Sequence, residues 1–140
     1  MTDKPLDRKR LYHVGNLSIF MIGLGFAVRA NIAPNLQVEI YDKIDLANSA
    51  VMVGEALGAT FTGFALTLLF GSALVDLIGM KRMLLLSALG YIIGSLGLLA
   101  ATTLPAGDAV ATLILVSLLL TGLGWGAVEA ASNPMVAALY

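Results

Sequence analysis

Long runs without a charged residue constrain the fold of this chain more than any other feature. Four such runs lie at 11–28, 56–75, 83–107 and 109–128. A helix needs about 20 mostly apolar residues to cross a bilayer. The sequence is 59% hydrophobic and 12% charged, whereas a soluble domain carries roughly 25% charged residues. We therefore predict an all-α membrane protein. Its four transmembrane helices are expected at approximately 15–38, 48–76, 82–102 and 109–138.

The remaining composition excludes several kinds of partner. The net charge of −1 offers no basic face to nucleic acid. Because the chain has no cysteine, it can form neither disulfides nor thiolate metal sites. No cluster of residues fits a metal or a cofactor, so we expect none. The partner expected from composition is the lipid bilayer.

The loops differ in their content of basic residues, and this difference predicts the orientation. The segment before the first span carries Lys4, Arg8, Lys9 and Arg10, and the loop between spans two and three carries Lys81 and Arg82. By contrast, the 39–47 loop has one base, Lys43, among three acidic residues, and the 102–108 loop has Asp108 and no base. Basic loops stay in the cytoplasm. We therefore expect a multi-pass protein of the plasma (inner) membrane with a cytoplasmic N-terminus.

A short motif occurs twice, at 23–34 and again at 122–134. Both copies read Gly-Leu-Gly-aromatic, then Ala-Val-charge-Ala, and then Pro five residues after the charge. The predicted orientation places the two copies in opposite directions across the membrane. An inverted repeat of this kind is typical of a transporter.

Small residues recur at helical spacing in three of the predicted spans. They form the pairs Gly54–Gly58 and Gly90–Gly94 and a stripe of Gly122, Gly126 and Ala130. Small residues let helix backbones approach closely in lipid. The stripes predict either a seam that slides during transport or the ordinary packing of a helical bundle.

Two charges inside the spans are the strongest candidates for chemistry, because burying a charge in a membrane is costly. Glu129 can bind and release a proton, accept hydrogen bonds from solute hydroxyls, or pair with an arginine. Arg29 keeps its proton, so it is a permanent donor and charge. Depth along the helices places Arg29 in the outer half and Glu129 near the inner edge. We therefore expect the two side chains to face one water-filled cavity rather than to form a pair.

Four further residues are secondary candidates. Glu55 lies near the outer end of the second span, where it either reaches water or faces the cavity. Asn31 and Asn133 can hydrogen-bond a polyol or bridge helices. Pro34 is expected to end the first helix, because proline removes a backbone hydrogen bond.

The loop 72–82 carries the most specific motif. Asp76 ends a span, Gly79 permits a tight turn, and Lys81 and Arg82 hold the loop in the cytoplasm. Asp76 can serve as a latch that breaks when a carrier changes face, or the loop can be a basic turn with no moving part.

The loop resembles the signature of the major facilitator superfamily between its second and third helices, carried by Leu74, Asp76, Gly79, Lys81 and Arg82. Ser72 and Leu77 depart from that signature. The region from Gly122 to Pro134 resembles the fucose permease branch, the sugar:proton symporters. Where that branch has an acidic residue on its first helix, this chain has Arg29 and Ala30.

The resemblance implies a proton-coupled symporter that carries a sugar or a similar small polar solute by alternating access, and not an enzyme. Glu129 would couple the proton and, with Arg29, Asn133, Asn31 and Glu55, contact the solute. Residues 1–140 would form an incomplete N-terminal transporter domain whose partners are the remaining transporter helices. The alternative is a complete four-helix protein that acts as a dimeric small-molecule exporter.

The coding sequence beyond Tyr140 separates these two hypotheses. We expect the open reading frame to continue through about eight further spans, because two inverted repeats make up each six-helix half of such transporters. A stop codon directly after Tyr140 in an intact, expressed gene would instead favour the dimeric exporter.

Overall fold

The structure consists mainly of four long helices. The computed structural model describes residues 7–137, except for the side chain of Ser72, so Lys4 and residue 138 lie outside the described part. The helices are α1 (Arg8–Leu36), α2 (Asp42–Ile44), α3 (Ser49–Ile78), α4 (Met80–Ala101) and α5 (Asp108–Ala137), with a π-helical segment, Gln37–Tyr41, between α1 and α2. Four of them are long and apolar enough to cross a membrane. The prediction of four apolar helices is therefore confirmed.

The prediction that the first helix ends at Pro34 is wrong. Pro34 lies inside α1, and the helical path continues through the π-helical segment as far as Ile44. The backbone N–H of Gln37 donates to the carbonyls of Ala33 and Pro34, so helical hydrogen bonding continues directly after the proline. Burial of Tyr41 in the core beyond the proline favours this continuation.

The turn between α3 and α4 consists of one residue, Gly79. Its φ of 85° and ψ of 149° belong to a region that is accessible almost only to glycine. The expectation that Gly79 makes a tight turn in the 72–82 loop is thus confirmed. At the opposite end of α3, Asn48 donates hydrogen bonds to Asp45 and so lowers the pKa of this exposed carboxyl.

Helix α5 lies between α3 and α4 and packs against both along its length. A Cβ atom added to Gly126 would lie 2.6 Å from the carbonyl oxygen of Phe64 on α3, and one added to Gly124 would lie 2.9 Å from that of Ser87 on α4. Gly122 faces the backbone of Thr60 at closer range still. The glycines of α5 therefore permit backbone contact on two opposite faces.

The predicted small-residue pairs differ in what they contact. Gly90 and Gly94 both lie against α5, whereas a Cβ atom added to Gly54 or Gly58 would have no neighbour within 4 Å. Spacing alone does not distinguish the two cases, because every residue of a helix has neighbours three and four positions away.

Helix α1 runs antiparallel to α5. Gly15 near its start lies against Met135 and Val136 near the end of α5, and Gly25 lies against Trp125 in the middle. Leu36 shares a core cluster with Val110 at the start of α5. The two helices that carry the repeated motif thus run in opposite directions, as the loop charges predict.

Exchanging one glycine on α5 tests the importance of this backbone contact. Gly122→Ala places a methyl group against the backbone of Thr60, so we expect a loss of about 1–3 kcal/mol of unfolding free energy. The matched control Gly58→Ala meets open space, and should be neutral or stabilising by up to about 1 kcal/mol.

Unfolding by SDS in detergent micelles, followed by circular dichroism, measures both variants. Equal unfolding free energies for the two would contradict the packing described for α5.

Candidate functional site

The two copies of the motif meet where α1 crosses α5, inside a cluster of aromatic rings. The centroids of Phe26 and Trp125, the aromatic positions of the two copies, are 4.3 Å apart. Phe61 and Phe64 of α3 and Tyr91 of α4 complete the cluster at 5.3, 6.1 and 6.2 Å from these rings. All four long helices therefore contribute a ring at one level of the bundle.

Arg29 lies on this cluster. The central carbon of its guanidinium is 3.9 Å from the centroid of a Trp125 ring, and the residue is 8% exposed. A desolvated contact of this kind contributes about 2 kcal/mol. Gly25, one turn earlier, leaves room for the indole, because a Cβ atom there would collide with the Trp125 ring. The Nη1 atom of Arg29 is buried and has no hydrogen-bond partner.

A cavity of about 780 Å³ extends from Arg29 between α1 and α4 towards the 102–106 loop. This volume lies within the range of small-molecule sites, about 300–1,000 Å³. Most of the lining is apolar. The polar or charged residues of the lining are Arg29, Asn35, Glu39, Lys43, Tyr91, Ser95 and Thr102.

The family of the protein follows from its sequence together with this architecture. A model of the "sugar (and other) transporter" family matches residues 10–138. The chain belongs to this family. No curated protein and no solved structure was found to match the chain. The described helices are thus part of a major facilitator bundle, and the protein is a multi-pass membrane transporter and not an enzyme.

Glu129 lies four residues after Trp125 on α5, a distance of about 6 Å along the helix axis. It is half-buried and does not line the cavity. Within residues 7–137, no ion pair joins it to Arg29. Arg29 and Glu129 therefore form no direct pair, as their depths along the helices predict. Of the two side chains that were expected to face one cavity, only that of Arg29 lines it.

The other sequence candidates of the transporter lie apart from this cavity. Glu55, Asn31 and Asn133 are exposed, and none of them is among the residues that line it.

The motif of the 72–82 loop is also exposed. Leu74, Asp76, Lys81 and Arg82 all lie on the surface around the turn at Gly79. In the described region, no ion pair or hydrogen bond joins Asp76 to either base. A latch at Asp76 therefore requires a partner other than these two bases.

The sequence analysis missed Trp125, which stacks on Arg29, and the cavity residues Tyr91 and Ser95. A signal for Trp125 was available, because it is the only tryptophan of the 140 residues and holds the aromatic position of the second motif copy. Tyr91 and Ser95 carry no such signal. Their role depends on which face of α4 turns towards α1, and the even hydrophobicity of a membrane helix does not reveal this.

Proposed function

We propose that this transporter carries a sugar or a similar polar solute together with a proton, by alternating access, in the manner of the fucose permease branch. The observation that supports the proposal is Glu129, a half-buried carboxyl group with no partner within the described residues. A carboxylate in an ion pair must leave its partner before it can take up a proton, whereas a carboxyl group without a partner can exchange a proton directly. Proton relays in carriers are built from such groups.

The surroundings of Glu129 suit this role. Ala130 and Ala131, which follow it on α5, are buried in a cluster with Met83 of α4, so this part of α5 is packed into the bundle.

Burial along the bundle supports an incomplete N-terminal domain with further helices. Helix α5 is covered on two sides by α3 and α4, whereas α1, its counterpart in the repeat, packs mainly against α5. Leu17 and Phe20 of α1 remain more than 60% exposed. By the symmetry of an inverted repeat, two additional helices of the transporter would cover α1 as α3 and α4 cover α5.

Removing the titratable group at Glu129 tests the coupling. In the transporter reconstituted in vesicles, Glu129→Gln should abolish accumulation driven by a pH gradient while downhill uptake of the solute persists, since the amide cannot carry the proton. Uptake of labelled solute with and without the gradient measures both quantities.

Glu55→Gln is the matched control, because Glu55 is an exposed carboxyl on α3. It should leave the accumulation unchanged. Accumulation by Glu129→Gln at the level of the unaltered protein would disprove the coupling role.

The proposed orientation, with the N-terminus in the cytoplasm, is testable with single cysteines, because the 140 residues contain none. An impermeant maleimide applied to intact cells should label Ala106→Cys in the 102–107 loop. It should label Leu77→Cys, beside Gly79, only after permeabilisation, because basic loops remain inside. The reverse pattern would overturn the orientation.

A further inference from the structure

The guanidinium of Arg29 has a donor for which residues 7–137 provide no acceptor. The ring of Trp125 covers one face of the guanidinium at 3.9 Å, which leaves the edge with its fork of N–H donors. One of these donor atoms, Nη1, is buried without a partner in a residue that is more than nine-tenths buried. A buried charged donor left unpaired is costly and therefore requires an explanation.

The charges around the cavity do not neutralise Arg29. Glu39 is the acidic residue of the lining, but its carboxylate accepts a hydrogen bond from Lys43 at 2.9 Å. That pair cancels its own charge near the 102–106 loop. Arg29 is thus left as the uncompensated positive charge of an otherwise mostly apolar cavity.

The chemistry of the missing acceptor follows from this charge. A neutral hydroxyl would satisfy one donor but leave the positive charge unbalanced in an apolar setting. A carboxylate balances the charge and can accept two parallel hydrogen bonds from the guanidinium fork. The hydroxyl groups of Tyr91 and Ser95, which also line the cavity, can then pair with hydroxyl groups of the same molecule.

We propose that the transported solute is a carboxylate-bearing polyol of the sugar-acid class, and that Arg29 binds its carboxylate. This inference rests on the proposed function for the statement that the bound molecule is transported. The binding site itself rests on the buried, unpaired Arg29 and the cavity beside it. Arg29 is then the residue that distinguishes an acidic solute from its neutral parent sugar.

Trp125 allows the binding to be measured apart from transport. Five- and six-carbon sugar acids and their parent sugars are each titrated into the reconstituted transporter. The signal is the fluorescence of Trp125, obtained as the difference between the unaltered protein and Trp125→Phe. We expect at least one acid to give a saturable change because it binds to the cation stacked on the indole. Its parent sugar should give none at the same concentrations.

Variants of Arg29 supply the decisive comparison. Arg29→Lys keeps the charge but loses the planar fork, so the affinity for the acid should fall by about tenfold or more. Arg29→Gln should abolish the response. The matched control Arg10→Gln removes a cation from the exposed start of the same helix and should leave the affinity unchanged. Circular dichroism verifies that each variant is folded. If Arg29→Gln does not fold, the comparison with Arg29→Lys still tests the proposal.

The outcomes separate this inference from the proposed function. If no acid gives a saturable change, or if a parent sugar binds equally well, the inference is overturned. Uptake of a neutral sugar with protons would then leave the proposed function intact. If an acid binds through Arg29 but its uptake ignores the pH gradient, the proposed coupling is wrong and the binding site remains.

Discussion

Backbone contact along α5 is the interaction on which the rest of the structure depends. Between membrane helices the hydrophobic effect gives no net attraction, so packing must come from close approach. Gly122 and Gly126 bring α5 against α3, and Gly124 brings it against α4. With side chains at these positions, the helices would stand further apart and the aromatic rings could not meet. The contact of Arg29 with Trp125 depends on a glycine of α1 instead, because Gly25 leaves room for the indole.

The sequence predicts the helices well because their signal is local. Each charge-free run reports its own length, and the structure places α3, α4 and α5 within a few residues of the predicted spans. Pro34 is the exception. Its local effect is to break a helix, but the helical path continues past it to Tyr41, which is buried in the core. Packing between helices, which a single segment does not reveal, decides this boundary.

The candidate site was less predictable for the same reason. Arg29 stands out in the sequence because a charge in an apolar run is rare, and the structure places it on the cavity. Asn31 lies two residues later and is exposed, since a step of two residues turns about 200° around a helix. Tyr91 reaches the same cavity from a helix whose sequence does not mark any face. Proximity along the chain therefore identified the correct segment of α1 but not the correct side chains.

The one-residue turn at Gly79 has a mechanical consequence. It joins α3 to α4 end to end, while α5 fills the space between them with its backbone against both. Separating α3 from α4 would pull the glycines of α5 out of two interfaces at once. These three helices should therefore move as one rigid body, which α1 contacts mainly along α5.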